Sequence, residues 1–218
     1  MRSKRLTLVF GVALCTMPLT QCGGSSAPEE SDAPQAMTPA DAGDWPMYRH
    51  DLAATGYSPL AEITTSNVAD LTAVWTYSLD AEESGGRGPS SQATPIVVDG
   101  VMYLPAADRV VALDPDTGSE IWRHPVADGT PSRRGVSYWP GDDATPARII
   151  VTSSTRLLAL DAATGASIES FGQGGETDMG VPYNSVPLVY GDIVVVGANT
   201  PRGAPGGVGN ARAFSART

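Results

Sequence analysis

Ala112-Leu113-Asp114-Pro115-Asp116-Thr117-Gly118-Ser119-Glu120-Ile121-Trp122 returns almost unchanged as Ala159-Leu160-Asp161-Ala162-Ala163-Thr164-Gly165-Ala166-Ser167-Ile168, and a third copy begins at Ala213-Phe214-Ser215-Ala216-Arg217-Thr218. Asp114 and Asp161 are 47 residues apart, and so are Trp75 and Trp122. A period of this length belongs to solenoids and propellers, whose units bury their faces against one another. Each copy reads as two strands around a tight turn. Arg109 to Leu113 and Arg156 to Leu160 are short, aliphatic and β-branched, and no helical stripe fits them. In the turn, Asp114 can accept from backbone N–H groups two or three residues on, Pro115 presets φ, and Gly118 supplies a positive φ before the return strand. Trp122 on that outer strand is a large ring recurring once per unit, which suits small sheets that stack face to face.

The upstream halves fit the same unit. Ala93 to Leu104 reads as strand, Asp99-Gly100 turn and strand, and Ser185 to Val196 repeats it with Gly191-Asp192. The fold expected is therefore an all-β β-propeller with four antiparallel strands per blade. The sequence carries the last strand of one blade around Trp75, two full blades and most of a third. Propellers have roughly four to eight blades, so the stretch from 44 to 218 is expected to be the N-terminal part of a larger ring. Its Trp75 strand would complete a blade supplied from elsewhere. Open sheet edges imply that this part does not fold alone.

Composition agrees: of 218 residues, 41% are hydrophobic and 17% charged, with 24 Gly and 18 Pro to serve many turns. Residues 1–22 read as an export signal, with Arg2, Lys4 and Arg5 ahead of the apolar run Leu6 to Cys15, too short to span a bilayer as a stable helix. Leu19-Thr20-Gln21-Cys22-Gly23 resembles a bacterial lipoprotein box with Cys22 as the lipidated residue, although Gln21 stands where that pattern prefers a small side chain. The alternative is a plain secretory signal; in both cases the chain is exported. Residues 23–43, rich in Ala, Pro, Ser, Asp and Glu, have nothing to bury and are expected to be a disordered tether. Cys15 and Cys22 are the only cysteines, so beyond the signal there is neither a disulfide nor a cysteine metal site to make. Without the signal, 11 basic residues face 24 acidic ones, a net −13 that argues against nucleic acid and anionic lipid as partners.

Asp44-Trp45-Pro46-Met47-Tyr48, Tyr57-Ser58-Pro59-Leu60, Ile63, Asn67-Val68, Leu71 and Trp75 resemble the opening of the pyrroloquinoline quinone (PQQ) dependent dehydrogenases. Arg134-Gly135-Val136-Ser137-Tyr138-Trp139 is similar to that family's cofactor-approach segment, and the chain most resembles the quinoprotein glucose dehydrogenase branch. The resemblance implies an eight-bladed propeller holding PQQ near its axis and a Ca²⁺-type ion against the quinone. It further implies oxidation of a sugar or alcohol, with electrons passed to membrane quinone or a cytochrome. Arg134 matches the family's cofactor-reaching arginine, a suitable group for a carboxylate. Asn184 falls where relatives place a hydroxyl residue facing the cofactor, and Asn199 near another polar contact. Arg133, Tyr138 and Trp139 read as solvated or packing residues.

The departures set limits. The mature chain lacks the adjacent cysteines of the methanol branch, Thr130 stands where the membrane glucose branch has histidine, and the segment from Asn199 to Asn210 holds no carboxylate. Metal ligands and proton acceptor are therefore expected beyond Thr218. His50 and His124 read as structural or exposed. The competing reading is a cofactor-free propeller lipoprotein that scaffolds outer-membrane assembly.

Overall fold

The structure, a computed structural model, describes residues 43–81, 91–199 and 210–218. The export signal with Cys22, all of the tether but its last residue, and residues 200–209 of the loop between Asn199 and Asn210 lie outside the described residues.

Two complete four-stranded antiparallel sheets follow each other. The first is built from β1 (Ile96–Val98), β2 (Val101–Pro105), β3 (Arg109–Leu113) and β4 (Glu120–Pro125), the second from β5 (Ser137–Trp139), β6 (Arg148–Ser153), β7 (Arg156–Asp161) and β8 (Glu176–Asp178). A third sheet pairs β9 (Leu188–Tyr190), β10 (Ile193–Val196) and β11 (Arg212–Ser215). These are the expected blades, strand for strand in sequence order. Asp99 and Gly100 both take positive φ, 50° and 74°, in the two-residue turn that sets Val98 opposite Val101. Gly191, with φ 53°, leads the turn that sets Tyr190 opposite Ile193.

The repeated turn behaves as its residues dictate. Asp114 Oδ1 accepts from the Asp116 and Thr117 amides, both at 2.9 Å, and Asp161 Oδ1 accepts from Ala163 and Thr164 at 3.0 and 2.9 Å. In the third copy Ser215 Oγ accepts from the Arg217 and Thr218 amides at 3.0 and 3.2 Å, so a hydroxyl makes the two amide bonds that the carboxylate makes in the other copies. The Thr117 amide bond, the main influence, holds the Asp114 carboxyl below its ordinary pKa.

Two-faced burial explains why the central strands read as continuous apolar runs. Successive side chains leave a strand on opposite faces. Ile149 and Val151 of β6, with Leu158 and Leu160 of β7, pack with Val110, Ala112 and Trp122 of the first sheet. Ile150, Leu157 and Ala159, which alternate with them along the strands, pack with Val194, Val196 and Ala216 of the third. Likewise Val111 and Leu113 cover Tyr77 and Leu79. At roughly 1.5–3 kcal/mol for each fully buried aliphatic side chain, these seams are the core.

Two expectations are corrected. From Val74 to Leu79 burial alternates, with Trp75, Tyr77 and Leu79 turned inward, but residues 71–79 join no sheet among the described residues. The segment is held by one backbone bond, from the Ala107 amide to the Leu79 carbonyl at 2.9 Å, and by side chains: Trp75 Nε1 donates to the Pro115 carbonyl at 2.9 Å, and Arg109 reaches the carbonyls of Ser78 and Asp80. The second return strand is interrupted. Ser167 makes a single bridge to Leu160, the chain leaves at Glu169, and pairing with β7 resumes only at Glu176. Gly172, Gly174 and Gly175, all at positive φ, shape the detour, and Phe171, fully buried, fills the space.

Candidate functional site

In an antiparallel sheet the start of the first strand, the end of the second and the start of the third share one end. Arg134 lies three residues before β5, Asn184 four before β9, and Asn199 three after β10, so all three candidates come to that end. The repeated Asp turns and the β1–β2 and β9–β10 hairpin turns occupy the other, while the Ser154-Thr155 turn between β6 and β7 is at the candidates' end.

The segments leading into the first strands lie side by side. The Gln92 amide donates to the Arg133 carbonyl at 3.0 Å and the Thr94 amide to the Arg134 carbonyl at 3.1 Å, tying the first blade to the second. Gly135, at φ 145°, leaves room there: a Cβ would come within 3.1 Å of both the Thr94 oxygen and a Val186 methyl. Ser132, 1% exposed, joins the second blade to the third. Its Oγ accepts from the Arg134 amide at 3.3 Å and donates to the Asn184 carbonyl at 3.1 Å. The Asn199 amide donates to the Pro182 carbonyl at 2.8 Å, and the Tyr183 amide to the Ser154 carbonyl at 3.1 Å. Arg134 and Asn184 are thus joined through one hydroxyl, with Asn199 fastened to the same loop two residues from Asn184.

Arg134 and Asn184 are exposed and Asn199 is half-buried. A hollow of about 310 Å³ opens beside Asn184, lined with it by Thr130, Arg133, Ser154 and Tyr183 and by Pro131 and Pro182; Arg134 and Asn199 are not on its wall. Arg133, solvated as its sequence context implies, shares this wall with Asn184, and no carboxylate lines it. The surface therefore offers guanidinium and amide donors to an anion. Arg156, at the start of β7, is instead engaged by Glu176 and the Asp128 carbonyl.

A second hollow, about 250 Å³, is closed by the opening segment and is mostly apolar, with Met47, Leu52, Tyr138, Val186 and Leu188 on its walls. The opening segment reaches it by a two-bond pairing of Trp45 with Val97 (2.8 and 3.0 Å) on the free edge of β1. Arg49, His50 and Ala54 take positive φ there, a cost sustained by the surrounding bonds to Asp51 and Met47.

Gln92 and Ser132 are additions that motif reading did not provide. Gln92 could have been found by its offset, four residues before β1 as Asn184 is before β9. Ser132 had no signal, since its importance lies in a contact 52 residues away.

The family "Glucose/ethanol/alcohol dehydrogenase, beta-propeller domain" of PQQ proteins matches residues 45–218. The glycerol dehydrogenase large subunit of Gluconobacter oxydans is 34% identical over 205 residues, covering 81% of this chain and 28% of its own length. Quinoprotein glucose dehydrogenase A of Acinetobacter calcoaceticus is 28% identical over 213 residues, covering 81% of this chain and 26% of its own. Among solved structures, the quinohemoprotein alcohol dehydrogenase ADHIIG of Pseudomonas putida HK5 superposes with a TM-score of 0.63 at 30% identity, over 81% of this chain and 25% of that one. The chain spans about a quarter of the length of the relatives it matches.

Proposed function

The chain belongs to the PQQ family of glucose, ethanol and alcohol dehydrogenase β-propellers, and from that premise we propose that it forms part of an exported PQQ-dependent dehydrogenase oxidising an aldose, polyol or small alcohol. The observation that supports this reading most directly is the match over residues 45–218 combined with the cationic and amide groups gathered at one end of the blades.

PQQ is a planar tricarboxylate, so it needs donors and no competing carboxylates. The described residues fit that requirement: Arg134 would bind a carboxylate, Asn184 and Asn199 would add polar contacts, and Gln92 and Arg133 stand beside them. When bound, PQQ supplies the two-electron acceptor for the substrate's hydroxyl-bearing carbon. The protein's part at this end is to bind and orient it. Among the described residues no three His, Cys, Asp or Glu side chains are grouped to hold a metal ion, so no residue here is assigned to Ca²⁺. Electrons would pass to membrane quinone or a cytochrome, and Cys22 would carry the lipid that holds the exported protein at a membrane. Among the described residues no helix is long and apolar enough to cross one.

The test is a titration of the protein with PQQ and Ca²⁺, followed by absorbance and tryptophan fluorescence, then dye reduction with aldoses, polyols and alcohols. Saturable binding with substrate-dependent dye reduction is expected. Absence of both would leave the cofactor-free scaffold reading.

A further inference from the structure

Each of the three blades presents a carbonyl oxygen at the same point of the turn after its third strand: Pro115, Ala162 and Ala216. The preceding part of the chain supplies the donor every time: the segment around Trp75 for the first blade, and the previous blade for the second and third. Trp75 Nε1 donates to Pro115 at 2.9 Å, and Trp122 Nε1 to Ala162 at 2.9 Å, where the Tyr103 hydroxyl adds a second bond at 3.2 Å. The third seam has no such tryptophan, because Glu169 stands 47 residues after Trp122 and is exposed.

Arg148 takes the position instead. Its Nη1 donates to the Ala216 and Arg217 carbonyls at 2.7 and 2.8 Å, and its guanidinium lies 5.4 Å from the centre of the Trp139 ring. Arg217 stands over the same ring at 5.3 Å, its own charge answered by Asp142 and Asp192, and Trp139 Nε1 donates to Asp192 at 3.3 Å. Arg148 is only 2% exposed, and its Nε has no partner. A buried cation without a carboxylate is costly, and its position follows from what it holds: two carbonyls that no tryptophan covers.

The seam latched in this way is the one the candidate site straddles. At its far end, about 17 Å away along β6 at the usual strand rise, Ser132 bonds Asn184 and the Tyr183 amide bonds Ser154. We propose that Arg148 is a positioning residue: it fixes the third blade against the second and so holds Asn184 in register with Arg134, making ligand affinity depend on a side chain that touches no ligand. For the ligand's identity this rests on the PQQ reading above; the latch itself rests on geometry alone.

The test compares Arg148→Met, Arg148→Lys and Trp122→Phe in the protein loaded with PQQ and Ca²⁺. Trp122→Phe weakens the seam that Asn184 does not touch. Arg148→Met is expected to raise the PQQ Kd about tenfold, leave kcat at saturating PQQ unchanged, and speed hydrogen exchange at the Tyr183 amide. Arg148→Lys, which keeps the charge but loses the fork, is expected to fall between, and it carries the test if the methionine variant does not fold. The proposal is overturned if Kd and Tyr183 exchange are unchanged, or if Trp122→Phe raises both as much. Should the unmodified protein bind no PQQ, the functional reading fails, and Tyr183 exchange still decides whether the latch exists.

Discussion

The indole of Trp122 lies on Gly165, so close that a Cβ built there would sit 2.5 Å from Cε3, and Trp75 lies on Gly118 with the corresponding distance 2.6 Å. The two pairs have the same sequence separation and the same outcome, a tryptophan from the preceding part of the chain seated on a blade's turn. Each glycine meets two demands at once: a left-handed φ of 72° or 70°, and no side chain under the ring. Gly165→Ala should therefore cost about 2–4 kcal/mol, overpacking added to backbone strain. Gly56→Ala, at φ 58° with nothing within 4 Å of the added carbon, should cost strain alone, about 1 kcal/mol. Denaturant unfolding of the two variants gives the comparison, and equal losses would remove the ring from the account.

The Ala162 carbonyl accepts from both Trp122 and Tyr103, so the two donors cover for each other. Tyr103→Phe removes only the hydroxyl and should cost about 1 kcal/mol; Trp122→Phe removes Nε1 together with the five-membered ring and should cost more, about 2–3 kcal/mol. Removing both leaves a buried oxygen unsatisfied, and the double variant should exceed the sum by about 0.5–1 kcal/mol or more. A double-mutant cycle on unfolding free energy measures this, and strict additivity would mean that the bonds are independent.

Alkaline stability follows from the same tyrosine. Burial pushes the Tyr103 phenol up to about 12 from the ordinary 10.0. Above pH 10 the unfolded chain gives up this proton while the folded chain keeps it, so the unfolded state binds fewer protons and stability falls as pH rises toward 12. The stability advantage of the unmodified chain over Tyr103→Phe should be constant below pH 10 and shrink between pH 10 and 12. A pH-independent difference between them would contradict the assignment.

Of what these three expectations rest on, the turn glycine and the tryptophan are open in the sequence, whereas the Tyr103 bond to Ala162 spans 59 residues and is not. The Asp-x-x-Thr-Gly turn, the tryptophan period and the two hairpin turns are local, so the residues that form them also announce them. What was not legible is where one position is filled by unlike residues. Arg148 performs at the third seam what Trp122 performs at the second, yet it sits on a different strand, and no period relates them. Glu169 could have signalled the change, since the ring is missing at the expected interval. The site shows the same division. Arg134 and Asn184 are visible as motif positions, whereas Ser132, which joins them, acts over 52 residues, and only folding brings it there.

For the cofactor, charge should dominate at Arg134. Arg134→Ala should weaken PQQ binding about 10- to 100-fold, the range of one or two charge-assisted bonds, and Arg134→Lys should recover only part because a single ammonium cannot present a fork. Titration at two salt concentrations checks the origin: the gap between the arginine and alanine forms should narrow at high salt. An unchanged Kd in Arg134→Ala would remove this residue from the site.

Ser132 and Asn184 separate scaffolding from contact. The bond between them uses the Asn184 backbone carbonyl, so Asn184→Ala preserves it and removes only the amide that faces the hollow. Ser132→Ala does the reverse, depriving the Arg134 amide and the Asn184 carbonyl of their shared hydroxyl while leaving every exposed side chain in place. Asn184→Ala should therefore raise the PQQ Kd several-fold with unfolding free energy nearly unchanged, the loss of one polar contact. Ser132→Ala should lower stability by about 1–3 kcal/mol and raise Kd as well, since both donors lose their common anchor. Calorimetric binding and denaturant unfolding on the same preparations distinguish the cases. If Asn184→Ala leaves Kd untouched while Ser132→Ala raises it, the asparagine serves the site through its backbone alone.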